Sequence, residues 1–204
     1  MKDNAGMNKL TRRDVLTKLD SGDKNFSGCD LGGLHLRHLN LTGANLSGSN
    51  LFKTDLRNAV LKDANLFDAI LKEADLRRAD LRNANLSYAN LNGANLRHAK
   101  LRHADLIRAD LSGCDLIDCD LRRANFYTAN LSGAKLKGAD LRNATLWQAR
   151  LYNAKLHSAD LRRANLFGAD LRGAVLKGAD LKDADLEGVD LTNADLEGAD
   201  LMRC

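Results

Sequence analysis

Residues 139–143 read Ala-Asp-Leu-Arg-Asn, and this pattern of a small residue, Asp or Asn, Leu and two variable residues recurs from Ala44 to Asp200. The central residues lie at positions 26, 31 and so on to 201, which makes 36 repeats. Leu occupies 34 of these 36 centres, and Ala stands two residues before the centre in 27 of them. A period of five is neither that of a helix nor that of an alternating strand. The pattern therefore predicts short straight segments joined by regular bends, stacked into one elongated body.

The bends are predicted from the alternation of side chains along an extended segment. In residues 139–143 we expect Asp140 and Arg142 to point outward, Leu141 to point inward, and Asn143 and Ala144 to form the bend. The Ala position should also face inward and stay small, because Leu already fills the interior. Thirteen of the 16 glycines lie two residues after a centre, where a tight turn favours a positive φ. The chain has no proline, which suits strands that pair on both edges.

From Phe26 to Cys204 the pattern resembles the pentapeptide-repeat family. The resemblance implies an all-β fold, a right-handed quadrilateral parallel β-helix in which four repeats make one coil of twenty residues. We expect a solenoid of about nine coils, about 43 Å long at a strand spacing of roughly 4.8 Å. The predicted organisation is a tail and a capping helix at residues 1–23 and the β-helix at residues 24–204.

The two ends of the predicted rod differ. Thr11 and Asp14 have the spacing of a capping box, so we expect a short helix at about residues 11–20 after nine disordered residues. The first coil provides a partner for the apolar face of this helix, because Leu34 and Leu39 replace Ala there. The last 24 residues carry 2 basic and 7 acidic side chains, 2 − 7 = −5, in a chain of net charge +4. We expect this acidic edge to oppose stacking, which favours a monomer or weak dimer.

Residues twenty apart should lie above one another, and two neighbouring faces of the rod are then basic. On the first basic face the residues after the centre are Thr42, Lys62, Arg82, Arg102, Arg122, Arg142, Arg162 and Lys182. On the second basic face they are Arg37, Arg57, Arg77, Arg97, Ile117, Lys137, His157 and Lys177. One interpretation is binding of nucleic acid or another polyanion through Arg82, Arg102, Arg122, Arg142, Arg162, Arg57, Arg77 and Arg97. The other, which we favour, is neutralisation by the aspartates that precede the centres, such as Asp80 and Asp120.

A third face, called the aromatic face below, collects large apolar side chains. They are Phe67, Tyr88, Ile107, Tyr127, Trp147 and Phe167, whereas Phe52 and Tyr152 lie on the remaining, fourth face. Such a patch is typical of a contact with a protein partner or a second copy of the chain. Cross-strand packing of the rings is an alternative role.

No arrangement in the sequence indicates catalysis, a metal or another cofactor. All four cysteines, Cys29, Cys114, Cys119 and Cys204, occupy the small inward position and are predicted to act as alanine substitutes. The five histidines lack the spacing of metal ligands. A polar N-terminus without an apolar segment favours a cytoplasmic protein with no membrane contact.

These patterns favour a non-catalytic scaffold or regulator that docks an unidentified protein through the aromatic face. Polyanion binding is the alternative. Some members of the family protect DNA gyrase by imitating duplex DNA with an acidic rod, a third hypothesis that the basic charge of this chain opposes. The segment from Leu16 to Leu31 resembles bacterial, notably cyanobacterial, regulatory members of the family.

Overall fold

The computed structural model describes residues 6–204 and contains three named elements. They are β1 (Asn8–Lys9), α1 (Arg12–Asp20) and β2 (Cys29–Asp30), and β1 pairs in parallel with β2. From residue 25 onward the chain forms single-residue parallel bridges between positions twenty apart, from Asn25↔Asn45 to Asp180↔Asp200. Each coil therefore has twenty residues and four bridges, as the family resemblance implies, and the architecture is a parallel β-helix.

The bend lies one residue earlier than the sequence predicted. Leu141 and Ala144 are both buried inside the coil, and the Ala144 N–H donates to the Leu141 carbonyl at 2.9 Å. Arg142 and Asn143 are thus the two central residues of a β-turn, and Asn143 has φ of 57°. The extended segment is centred on Asp140, with an inward side chain on either side of it. The prediction that Asn143 and Ala144 form the bend was wrong. It assumed an extended segment of Asp140, Leu141 and Arg142 with Leu141 inward, whereas the extended segment is Ala139, Asp140 and Leu141, in which alternation places Ala139 and Leu141 inward.

A positive φ recurs at the second central residue of the turn in every one of the 36 repeats. This single left-handed residue is the signature of a type II turn, which explains why glycine collects there. In 23 repeats another residue adopts it, including the β-branched Thr128 with φ of 53°. The left-handed conformation costs a residue with a Cβ roughly 1–2 kcal/mol, so the stacked coils hold these 23 residues in an intrinsically unfavourable backbone conformation.

The backbone N–H groups of one repeat show why Asp and Asn precede the centre. In residues 139–143, three N–H groups donate to neighbouring coils and one closes a turn. The remaining N–H, that of Arg142, donates to Asp140 Oδ1 at 3.2 Å. The same contact from the residue after the centre to an Asp or Asn two residues earlier recurs along the chain, for example at Tyr127 with Asn125 and at Thr192 with Asp190. The Asp or Asn side chain therefore caps the turn, because an N–H group without an acceptor is unfavourable.

The interior is a continuous apolar column. Central residues from Phe26 to Leu181 are at most 1% exposed, and Phe126 takes a leucine position without leaving the core. At the C-terminal end the last coil lacks a coil above it, and Leu201 is 39% exposed. Among the described repeats, bulky apolar residues at the small position occur only near the ends, at Leu34, Leu39 and Val189, which are partly buried.

Helix α1 packs against the first coil. Thr11 and Asp14 form the predicted capping box, and Val15 is buried in the same cluster as Phe26. The Arg12 Nε donates to the His35 carbonyl at 2.8 Å. The prediction that residues 1–9 are disordered was wrong for β1, which pairs with the open edge of the first coil. Residues 1–5 lie outside the described part of the chain.

Candidate interaction surfaces

The aromatic face presents its large side chains to solvent. Phe67 is 42% exposed, Tyr88 46% and Trp147 41%, and the side chains of Ile107, Tyr127 and Phe167 are half-buried. Five of the six follow a repeat centre, whereas Tyr88 occupies the left-handed turn position with φ of 61°.

The rings on this face also contact one another along the rod. The ring centroids of Tyr127 and Trp147 lie 5.3 Å apart, and those of Trp147 and Phe167 lie 5.8 Å apart, both edge to face. Phe67 and Tyr88 form a second pair at 5.4 Å. Such contacts stabilise neighbouring strands, so the packing role of these rings is present. It leaves more than a third of Phe67, Tyr88 and Trp147 open to solvent, which packing alone does not explain.

The aromatic face carries almost no charge. Along the positions before and after the centres from Asn25 to Phe167, the one charged residue is Asp105. Asparagines dominate the position before the centre, and the Asn45 amide donates to Asn25 Oδ1 at 3.2 Å. At the corner, the Arg108 guanidinium lies 5.7 Å from the Tyr88 ring and donates to its hydroxyl at 3.2 Å.

On the first basic face, arginines and aspartates form a ladder of ion pairs. Arg142 contacts Asp140 with Nε at 2.8 Å and Nη2 at 2.6 Å. Its Nε also lies 3.4 Å from Asp160 of the next coil. Arg122 repeats this geometry, with Asp120 in its own coil and Asp140 in the next. The bidentate pairs hold the pKa of Asp120 below its ordinary value of 3.8, chiefly through the Arg122 hydrogen bond.

Of the eight arginines named above as polyanion candidates, seven form an ion pair with an aspartate. Six pair with the aspartate two residues earlier, and Arg97 pairs with Asp115 of the next coil: these pairs involve Arg57, Arg77, Arg82, Arg97, Arg122, Arg142 and Arg162. Within residues 6–204, Arg102 has no acidic partner. The cause is Lys100, which stands where the neighbouring coils have aspartate.

Sequence reasoning missed the lysines that replace aspartate before a centre. Besides Lys100 they are Lys135 and Lys155 on the second basic face, which form a direct parallel bridge with each other. All three are exposed and make no ion pair with any described residue. Reading the residues before the centres, instead of those after them, would have revealed these positions.

Two of the four cysteines lie in the core. Cys114 and Cys119 are buried, and burial raises the pKa of each thiol to about 12. Each thiol donates to a backbone carbonyl of the preceding coil, that of Leu91 or Leu96, at 2.9 Å. The described residues include no cluster of His, Cys, Asp and Glu suited to a metal ion. None of the helices in this part of the chain has both the length and the apolar character that crossing a bilayer requires.

Comparisons with known proteins agree with this architecture. The family described as Pentapeptide repeats matches residues 25–58, 59–97, 89–127, 129–168 and 169–204, with eight copies. A comparison with curated protein sequences gave no match.

Three solved structures show the range of the similarity. The crystal structure of HetL, a pentapeptide repeat protein involved in heterocyst differentiation regulation from the cyanobacterium Nostoc sp. Strain PCC 7120, shares 34% identity, with 95% of this chain and 98% of that chain covered and a TM-score of 0.58. A structure of QnrB1, a plasmid-mediated fluoroquinolone resistance protein, shares 21% identity over 84% of this chain and 89% of that chain, with a TM-score of 0.68. A pentapeptide repeat protein from the Arabidopsis thaliana thylakoid lumen shares 34% identity over 48% of this chain and 68% of that chain, with a TM-score of 0.47.

The fold of HetL and QnrB1 implies that the coils wind in a right-handed sense. The family match covers nearly all of the β-helix, and the similarity to HetL extends over almost the full length of both chains. The chain therefore belongs to the pentapeptide-repeat family.

Proposed function

We propose that this protein is a non-catalytic scaffold or regulator that docks a protein partner through the aromatic face. The observation that carries the proposal is the coincidence of exposed rings and missing charge on one face of a rigid rod. Interface centres are enriched in Tyr, Trp and Phe and depleted of charged residues, and a few large side chains supply most of the binding free energy. Trp147, flanked by Tyr127 and Phe167, is the centre of this surface.

The chemistry of the face indicates what kind of surface a partner would present to it. Because Asp105 is the one charged residue before or after the centres of this face over six coils, we expect the complementary surface to be almost uncharged and apolar at its centre. The Trp147 indole N–H and the Tyr127 hydroxyl remain available to polar groups of the partner at the edge of the contact. A side-by-side contact with a second copy of the chain is the competing occupant of the same face.

HetL is described as involved in a regulatory process, which supports a regulatory role for this chain as well. Such a role fits the proposed cytoplasmic location and bacterial context. Protection of gyrase by DNA mimicry is disfavoured, because the chain has a net charge of +4 and its first basic face presents arginines.

The proposal is tested with the double variant Tyr127→Ser and Trp147→Ser. The wild type and the variant are used as bait in extracts of the source organism, and captured proteins are identified by mass spectrometry. We expect a partner that the wild type captures to be lost from the variant, while the circular dichroism spectrum is unchanged.

Tyr152→Ser is the matched control, since Tyr152 is 49% exposed but lies on the fourth face, next to Arg172. Equal capture by the double variant would refute the docking role of the aromatic face. Light scattering of the purified protein tests the competing occupant: a dimer that the double variant abolishes would assign the face to self-association.

A further inference from the structure

The ladder on the first basic face is interrupted at Lys100. This lysine forms bridges with Asp80 below it and Asp120 above it, so it occupies the same place on the face as those two aspartates. One coil above, Asp120 Oδ1 accepts the backbone N–H of Arg122 at 3.3 Å and its Nε at 2.7 Å. Within the described chain no oxygen accepts the corresponding N–H of Arg102 or pairs with its guanidinium. Replacement of a carboxylate by an ammonium group thus leaves the Arg102 N–H, the Arg102 guanidinium and the Lys100 ammonium without an acceptor among residues 6–204, and both residues are exposed.

The Arg102 side chain also lines a shallow groove with a volume of about 190 Å³, together with Arg122, Arg123, Arg142 and Asn143. Arg122 and Arg142 hold aspartates, whereas Arg102 and Arg123 have no acidic partner among residues 6–204. The groove, which we call the Lys100 groove although Lys100 is not part of its lining, therefore has two guanidinium groups without an ion pair, and Lys100 stands two residues before Arg102 in the chain.

Nearby carboxylates offset this charge only in part. Asp80 accepts from Arg82 Nη2 at 2.5 Å, and Asp120 accepts from Arg122 Nη2 at 2.7 Å. Each aspartate is thus bound to an arginine of its own coil, and its attraction to Lys100 or Arg102 acts without a hydrogen bond.

We propose that the Lys100 groove binds a phosphate group of a polyanion. A phosphate oxygen would accept the N–H and guanidinium of Arg102 in the way that the Asp120 carboxylate accepts those of Arg122. Guanidinium groups bind phosphate through two parallel N–H donors, and a free backbone N–H adds a third. The site is separate from the aromatic face and does not depend on protein docking.

A second group of lysines favours a ligand with several phosphates over a single ion. Lys135 and Lys155 are direct bridge partners on the second basic face, and each is followed two residues later by Lys137 or His157. Like charges directly opposite each other on adjacent strands are destabilising. A chain of phosphate groups extending from the Lys100 groove onto the neighbouring face would relieve this repulsion.

The test uses the full-length protein and fluorescence anisotropy. The probes are a labelled single-stranded thymidine oligonucleotide and inorganic polyphosphate, with polyglutamate as a carboxylate polymer. We expect salt-sensitive binding of a phosphate polymer and little binding of polyglutamate. If both phosphate polymers bind, the protein recognises the phosphate groups themselves. If only the oligonucleotide binds, the protein also recognises the sugar or the base. Either result supports the site.

The decisive variant is Lys100→Asp, which restores the aspartate of the neighbouring coils and should fold at least as well as the wild type. We expect it to weaken binding at least tenfold and to reduce the slope of log K against log salt by about one. Lys72→Asp, with the same change in charge on the opposite, fourth face, should reduce affinity far less.

The double variant Lys135→Asp and Lys155→Asp should weaken polymer binding further without changing the fold. Three results would overturn the proposal: no binding of either phosphate polymer, equal binding of polyglutamate, or equal losses for Lys100→Asp and Lys72→Asp.

Discussion

Substitution of Asp140 separates two roles that the structure assigns to one side chain. Asp140 Oδ1 caps the turn by accepting the Arg142 N–H at 3.2 Å, and the carboxylate also pairs with the Arg142 guanidinium. The Arg142 side chain is 38% exposed, so solvent screens the ion pair and its contribution to stability is small. The cap satisfies a backbone donor that has no other acceptor. We therefore expect the cap to dominate.

The stabilisation from the Asp140 cap can be compared with that of caps at helix ends, where loss of the acceptor lowers the free energy of unfolding by about 1 kcal/mol. Asp140→Ala should lower the free energy of unfolding by about this amount, which moves the urea midpoint by roughly 0.3–1 M. Asp140→Asn keeps an amide oxygen at the same place and should lose less than half as much. Asn already caps this turn elsewhere, as Asn130 does with the Ser132 N–H at 3.1 Å.

Urea unfolding followed by far-ultraviolet circular dichroism measures both variants. Equal destabilisation by Asn and Ala would show that the carboxylate charge, not the cap, stabilises the repeat. A stable Ala variant would show that water replaces the cap at no cost.

Three further predictions concern acid stability, thiols and the core. The pKa of Asp80 is lowered by the Arg82 hydrogen bond, so its stabilisation is present above pH 4 and is lost as the pH falls through the lowered pKa. Urea unfolding between pH 6 and pH 2 should show a decline in stability to which several such aspartates contribute, and Asp80→Asn should reduce its slope; an unchanged slope would contradict this. A thiol reagent at pH 8 should label the exposed Cys204 and spare the buried Cys114, whose pKa is about 12, until the protein unfolds; equal labelling rates would contradict this. Ala104→Leu should destabilise the filled interior by at least about 1–3 kcal/mol, whereas Ala199→Leu at the open end should be tolerated, and similar urea midpoints would refute the argument.

The interior of the rod was predictable from the sequence because it depends on one repeated requirement. A leucine every fifth residue, with a small residue two places earlier, fits only a coil in which both face inward, and Leu141 and Ala139 do so. The left-handed turn position was also predictable, since Gly138 and Gly133 lie where φ is positive. Periodicity alone did not show which two residues occupy the corner, because that depends on the hydrogen bond between Ala144 and Leu141.

The surfaces were harder to predict than the core. The aromatic face follows from the twenty-residue spacing, and the structure adds the exposures and the ring contacts. Pairing along the basic faces depends on side-chain geometry: Arg142 contacts two aspartates, whereas Arg102 contacts none because of Lys100. The strand pairing of Asn8 and Lys9 had no sequence signal, since it arises from the open edge of the first coil.

The strict spacing of twenty residues between bridge partners has a consequence for how such rods change length. Excision of one whole coil would join equivalent edges and leave every surface in line. Loss of a single five-residue unit would also preserve the core, but it would turn everything beyond the cut by a quarter revolution. The Phe67 and Trp147 side chains would then point in perpendicular directions. Only insertions or deletions in steps of four repeats therefore keep the faces of the rod aligned.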